Sequence, residues 1–149
     1  MPEHVARIHW ERGDADFLYD EYHRDHEWTL GDGVRVPASA APEFLGDGRR
    51  ADPEEAFVAA LSSCHMLSFL AICARKRITV DGYTDRAVGR LEKRDDGRWA
   101  VTRVALFPEI RFHREAPADA VLSELHRLAH RECFIANSVR TEVIVKRLR

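Results

Sequence analysis

Asp52-Pro53-Glu54-Glu55 opens the stretch that decides the fold, and the run that follows from Ala56 to Ala74, AFVAALSSCHMLSFLAICA, is apolar with few interruptions. Asp52 can cap the first free amides, Pro53 suits the first helical position, and Glu54 and Glu55 sit where the helix dipole favours negative charge. Asp52 and Glu55 have the spacing of a capping box. The run predicts a long central helix, buried and covered on most sides because it is apolar nearly all round. Arg75-Lys76-Arg77 place cations at its negative end. Ala56, Ala60, Cys64 and Ser68 fall at four-residue steps and form a stripe of small side chains, along which a second backbone can approach closely. By composition alone Cys64 reads as a small buried hydrophobe. Chemistry at that position requires a second thiol and a cation that lowers the pKa of the first.

The 149 residues predict one domain spanning 1–149, small enough that an oligomer would help to cover an apolar central helix, so a dimer or larger is expected. With 23 Lys and Arg against 25 Asp and Glu the net charge is -2, and no basic excess draws the chain onto phosphate backbones, which argues against a nucleic-acid partner. The N-terminal MPEHVARIHW has neither the basic nor the apolar region of a secretory signal, so the expected location is the cytoplasm. Cys64, Cys73 and Cys133 are an odd and sparse set, better suited to redox or metal chemistry than to stapling a secreted scaffold. The apolar run approaches the roughly 20 residues that cross a bilayer. It contains Ser62, Ser63, His65 and Ser68, however, and patterned soluble segments flank it, so no membrane association is expected.

Before the helix, Val5 to Trp10 predicts a first strand, and Phe17 to Tyr22 the beginning of a second. Tyr22 to Trp28 is dense in titratable and aromatic groups and reads as a polar strand or hairpin face. Gly31-Asp32-Gly33 marks a turn before a short strand at Val34 to Val36. From Pro37 to Arg50 the composition shifts to Pro, Ala, Ser and Gly, which predicts a long loop of the functional or partner-binding kind. After the helix, Thr84 to Lys93 and Trp99 to Phe112 read as two strands of a hairpin closed by Asp96-Gly97. Pro108 interrupts the second, so an edge position or a bulge is expected there. Pro117 to Arg131 has helical spacing in Val121, Leu122, Leu125, Leu128 and Ala129. Cys133 lies at its exit, and Val139 to Val145 reads as a last strand. This order of strands, helix, hairpin, helix and strand is that of an α+β domain.

One thiol pairing is excluded by geometry. Cys73 lies about 13 Å of helical rise beyond Cys64, on nearly the opposite side, whereas a disulfide needs Cα atoms within about 7 Å. Cys73 therefore reads as core packing. Cys133, distant in sequence, sits at a helix exit where rearrangement costs least, and the fold could bring it to Cys64. A thiol held in mid-helix gains little from the dipole and needs a nearby cation, for which Arg24, Arg49 and Arg50 are the upstream candidates.

The block from Asp52-Pro53-Glu54-Glu55 through Leu61-Ser62-Ser63-Cys64-His65, together with Glu132-Cys133-Phe134-Ile135-Ala136-Asn137-Ser138, resembles the OsmC/Ohr family of peroxide-detoxifying proteins, and the element order follows that family over nearly the whole chain. The resemblance implies an intertwined α+β homodimer with its two central helices packed together and its active sites at the subunit interface. It implies that Cys64 is the peroxidatic and Cys133 the resolving cysteine of a thiol peroxidase that reduces organic hydroperoxides, and hydrogen peroxide as a further candidate, without a cofactor. The expected reductant is a lipoyl or small-molecule dithiol, and the expected role is oxidative-stress defence. The family's catalytic glutamate precedes its cysteine by ten residues, which implies Glu54, and its arginine comes from an N-terminal loop, where Arg24 in Tyr22-His23-Arg24-Asp25-His26 is the match. The chain lacks the Gly-Gly-Arg form of that loop, carries Phe134 where many members have proline, and has His65 directly after the first cysteine. These departures suggest an OsmC-like branch distinct from the best-studied organic hydroperoxide enzymes.

Two other readings stand beside this one. His126, His130 and Cys133 share one face of the second helix, and Cys64-His65 could add ligands for zinc, although no CxxC or HExxH pattern is present. The same fold could also bind a hydrophobic small molecule without catalysis.

Overall fold

A computed structural model describes residues 1–147, which fall into two compact units dividing between Ala56 and Phe57. The first unit is built on an antiparallel three-stranded sheet, β1 (Ala6–His9), β2 (His26–Leu30) and β3 (Val34–Ala38), in that order. Trp28 at its centre stands opposite Ile8 on one side and Val36 on the other. Gly31, at φ 54°, supplies the left-handed residue of the β2–β3 turn.

Phe17 to Tyr22 does not begin a strand. The Glu21 and Tyr22 amides both bond to the Leu18 carbonyl, folding the segment into a turn. The physical reason is side-chain clustering. Trp10 donates its indole N–H to the His23 carbonyl at 3.0 Å, and its ring lies 6.0 Å from Phe17 and 6.0 Å from Tyr22. Aromatic contacts thus take up the residues whose β-propensity suggested a ladder.

The Pro37–Arg50 stretch is more ordered than the loop expected of it. β3 runs on to Ala38, Pro42–Phe44 forms one 3-10 turn, and buried Ser39 donates to Asp25 at 3.0 Å while accepting the Asp47 amide at 3.1 Å. Gly46 passes so close to Ala40 that a Cβ would lie 1.6 Å from the Ala40 carbonyl oxygen, so no side chain fits there.

The central helix α1 spans Pro53–Arg75. Asp52 caps it as its spacing from Glu55 predicts, with its carboxylate accepting the Glu55 amide at 2.8 Å. Asp52→Ala is expected to cost about 1 kcal/mol through loss of that cap, seen as a lower urea midpoint at unchanged m-value; an unchanged midpoint would show the cap to be idle. At the other end Ile78 donates to the Cys73 carbonyl at 2.9 Å and Arg77 to Ala74 at 3.1 Å. This is the paired C-terminal closure of a helix, with Arg77 at φ 59° in the place usually given to glycine.

From Phe57 onward, β4 (Val80–Asp85) pairs antiparallel with β7 (Pro108–Phe112), while β5 (Val88–Lys93), β6 (Trp99–Leu106) and β8 (Glu142–Val145) form a second sheet in the order β5-β6-β8. β5 and β6 are antiparallel, and β6 and β8 parallel. Each strand of the expected hairpin is therefore two strands, broken at Arg86-Ala87 and at Phe107, and the hairpin switches sheets at both breaks. Pro108 has no N–H for a ladder and can only head its strand. Asp85 takes the orphaned donor at this corner, accepting the Phe107 amide at 2.6 Å.

α2 (Asp119–Glu132) and the single-turn α3 (Phe134–Asn137) follow, separated by Cys133. Two clusters hold this unit together. In one, Phe69, Ile72 and Cys73 of α1 pack on Leu125 and Ala129 of α2; in the other, Leu61 of α1 meets Val104 and Leu106 of β6, with Ile135 and Ala136 of α3 against them.

Within one chain, cover reaches only one stripe of α1, made by Leu61, His65, Phe69, Ile72 and Cys73. Leu67, on another face, is 61% exposed. The expectation of a helix covered on most sides is not met by a single chain, because the described residues supply neighbours along one side only. By length and composition alone α1 could cross a bilayer, with 23 residues at a mean hydropathy of 1.9. Its polar side chains instead bond to the rest of the unit: Ser62 donates to Asp85 at 2.5 Å, and His65 meets His126 at 3.0 Å.

Candidate functional site

Cys64 lies in the middle of α1 and is partly exposed; Cys133 is 1% exposed, and both thiols are free. Ile135 and Ala136 of α3 pack against the cluster that Leu61 of α1 forms with Val104 and Leu106, and Leu61 is within a turn of Cys64. Cys133 stands directly before α3 with extended backbone, and its sulfur accepts the Ala136 amide at 3.4 Å. Burial raises the pKa of the Cys133 thiol; the Ala136 amide pulls it down, and the neighbouring Cys64 pushes it up again. The fold thus makes neighbours of two cysteines far apart in sequence. Cys73 is elsewhere, in the core against Phe69, where burial raises its pKa.

That arrangement is chemically asymmetric. The partly exposed Cys64 can be reached from solvent, while Cys133 is held behind it in its protonated form. An oxidised sulfur at Cys64 would have a neighbouring thiol at a helix junction, where rearrangement of the backbone costs least.

Glu54 and Arg24 both belong to the first unit and form no ion pair with each other among the described residues. Glu54 is half-buried in the first turn of α1, ten residues before Cys64 on the same helix. The Arg24 guanidinium donates to the carbonyls of Tyr19 and Tyr22. It also lies over both rings, 3.7 Å from the Tyr22 centroid and 5.0 Å from that of Tyr19, the geometry of a cation–π contact. The other upstream arginines have carboxylate partners: Arg50 pairs with Asp25 at 3.4 Å and Arg49 with Asp47 at 2.9 Å.

The zinc set weighed from sequence is not assembled. Among the described residues no three His, Cys, Asp or Glu side chains converge into a metal-binding group, and His126 turns instead to His65. The two buried imidazoles stack at 9° with centroids 5.3 Å apart and share a hydrogen bond of 3.0 Å between His65 Nε2 and His126 Nδ1. Phe69 also stacks on His126, with centroids 4.5 Å apart. Burial lowers the pKa of each ring to about 4, helped at His65 by His126 and His130 and at His126 by Arg147.

From sequence these histidines read as candidate ligands or polar-face residues, and their pairing was missed. Asp85 was also missed. It joins Ser62 of α1 to the Phe107 amide and so fixes α1 against the sheet corner close to Cys64.

The family model for OsmC-like protein matches residues 46–146. No curated protein matches the chain. Among solved structures, an OsmC-like protein of unknown function from Vibrio cholerae is 46% identical, covers 99% of this chain and 100% of its own, and superposes with a TM-score of 0.93. An organic hydroperoxide resistance protein, OsmC, from Legionella pneumophila has 19% identity over 99% of this chain and 96% of its own, with a TM-score of 0.73. The organic hydroperoxide resistance protein OhrB of Bacillus subtilis has 20% identity over 96% of both chains, with a TM-score of 0.66. At those identities the last two speak for the fold alone. With a family model covering both cysteine blocks and a relative at 46% identity along its whole length, the chain belongs to the OsmC-like family.

Proposed function

We propose that the protein is a cysteine-based thiol peroxidase that reduces organic hydroperoxides in oxidative-stress defence. The observation that carries this reading is that a partly exposed Cys64 and a buried Cys133, both free thiols, are neighbours in the fold.

The chemistry proceeds in three balanced steps. The Cys64 thiolate attacks the outer oxygen of the hydroperoxide; the O–O bond breaks, the alcohol leaves with one proton, and Cys64 becomes a sulfenic acid. The Cys133 thiol then attacks that sulfur, water departs, and a Cys64–Cys133 disulfide forms. A dithiol of lipoyl or small-molecule type reduces the bridge by exchange and is itself oxidised to a disulfide. In this reading Arg24 is the candidate cation for the Cys64 thiolate and Glu54 the candidate carboxylate that orients it, which requires the Arg24 guanidinium to leave the carbonyls of Tyr19 and Tyr22.

The working form is a homodimer. A 23-residue helix of mean hydropathy 1.9 that its own chain covers on one stripe presents its remaining apolar surface to a second copy. Small residues at Ala56 and Ala60 permit close approach of that copy's helix.

Purified protein offered cumene hydroperoxide, a fatty-acid hydroperoxide or hydrogen peroxide, each with dithiothreitol or dihydrolipoamide, tests the proposal. The expected result is catalytic loss of dithiol, faster with the organic hydroperoxides than with hydrogen peroxide. No peroxide-dependent dithiol loss with any pair would overturn it.

A further inference from the structure

A cavity of about 360 Å³ lies between α2 and β8, lined by neither Cys64 nor Cys133. That volume falls in the range of small-ligand sites. One wall is β8, where Ile144 gives an apolar surface while Val143 and Val145, alternating with it, pack on the core of Leu61, Val104 and Leu106. The other carries Ser123, His126, Arg127 and His130 of α2, with Arg147 beyond the end of β8, and no carboxylate is among the lining residues described.

The buried imidazole pair decides what His126 offers this space. His126 Nδ1 is engaged by His65 Nε2, and His65 Nδ1 is buried without a partner. Were His126 the donor in the shared bond, His65 would bear its proton on Nδ1 and leave a buried N–H unsatisfied. With His65 as donor only a lone pair goes without a partner, and unpaired acceptors are better tolerated than unpaired donors. His65 Nε2–H therefore donates to His126 Nδ1, and His126 carries its proton on Nε2, the one ring nitrogen left to face the cavity.

Arg147 reinforces the same polarity. It donates to Ser123 Oγ at 2.6 Å, and its ion pair with Asp119 at 3.4 Å involves a carboxylate that is 97% exposed and so holds it weakly. Arg127 is held by Glu124 at 2.6 Å, and Arg147 also donates to the Asp119 carbonyl at 3.1 Å. Arg147, with only an exposed carboxylate beside it, is therefore the cation this end of the cavity offers, and β8 supplies the apolar side.

The geometry points to a binding site for a small organic anion, a monocarboxylate with a short aliphatic tail, whose head group lies between His126 Nε2–H and Arg147 and whose tail lies along β8. The site is separate from the thiol pair and does not rest on the peroxidase reading.

Calorimetric titration of the full-length protein with octanoate, with octanol as the uncharged analogue, tests it. The expected result is saturable one-to-one binding of octanoate, weakened roughly tenfold or more by Arg147→Gln and by His126→Phe, with octanol correspondingly weaker, since a hydrogen bond to a charged group contributes about 1.5–3 kcal/mol. His126→Phe keeps a ring stacked on Phe69 while removing the donor, and Arg147→Gln changes a side chain at the surface, so one readout survives if the other variant fails to fold. Alkylation of Cys64 is expected to leave octanoate binding unchanged. Octanol binding as tightly as octanoate, octanoate binding that neither variant weakens, octanoate binding abolished by alkylation of Cys64, or no saturable binding of octanoate up to about 10 mM would each overturn the site.

Discussion

Cys64→Ser is expected to reduce peroxide-dependent oxidation of a dithiol by roughly a thousandfold or more, a loss of about 4 kcal/mol in transition-state stabilisation. A serine hydroxyl is not ionised near neutrality and cannot attack the O–O bond as a thiolate does. Cys133→Ser is expected to behave differently. Its Cys64 still attacks one equivalent of hydroperoxide but then stops as a sulfenic acid, trappable by a dimedone-type reagent, because the buried partner that would expel water is absent. The two variants therefore separate the roles that the structure makes asymmetric by exposure. Full activity in Cys64→Ser, followed as dithiol consumption, would remove the nucleophile from the scheme. Both variants change one atom, and neither position requires a volume change in the core.

A second large effect is expected in the pH dependence of stability. The rings of His65 and His126 are held neutral in the fold, with pKa lowered from 6.5 to about 4 by burial, helped at His65 by His126 and His130 and at His126 by Arg147. In the unfolded chain both bind protons below pH 6.5, so the unfolded state takes up more protons than the native state in that range. Their contribution is fully present above pH 6.5, falls as the pH drops through the window from 6.5 to about 4, and levels off below it. For each ring the loss across that window is on the order of 3 kcal/mol, a large share of the stability of a domain this size. Urea titrations at pH 7.5, 6.0 and 5.0 measure it. His126→Phe, which cannot charge, is expected to show a shallower decline than the parent protein. Parallel pH profiles for the two proteins would show that His126 is solvated in the native state and that the stacked pair is not the source of the acid sensitivity.

Much of this was legible in the sequence, and the exceptions have identifiable physics. The bounds of α1 follow from local chemistry: a carboxylate cap at Asp52, proline at the first position and cations at the end. The nearness of Cys64 and Cys133 was expected chiefly through resemblance, since nothing in the spacing says that Ile135 and Ala136 will pack on the cluster that contains Leu61. The break at Arg86-Ala87 was hidden because no glycine or proline marks it, and the break at Phe107 was legible as an interruption at Pro108 but not as a change of sheet. What ends the ladder there is a side chain 22 residues away, Asp85, taking the Phe107 amide. The turn at Phe17–Tyr22 was misread because aromatic residues favour strands and clusters alike. The His65–His126 pair escaped notice for a related reason. A helix apolar on every side does not declare which stripe will face the core, so the burial of His65 could not be assigned from period alone.

The central claim is that the thiols of Cys64 and Cys133 form one redox pair. It is tested most directly by treating the reduced protein with one equivalent of cumene hydroperoxide, blocking residual thiols, and mapping peptides by mass spectrometry without reduction. A peptide pair joined through Cys64 and Cys133, absent before treatment and lost again with dihydrolipoamide, is the expected result, with Cys73 recovered as the blocked free thiol. Recovery of Cys133 as a blocked free thiol while Cys64 is oxidised beyond sulfenic acid, or a bridge that involves Cys73, would contradict the account.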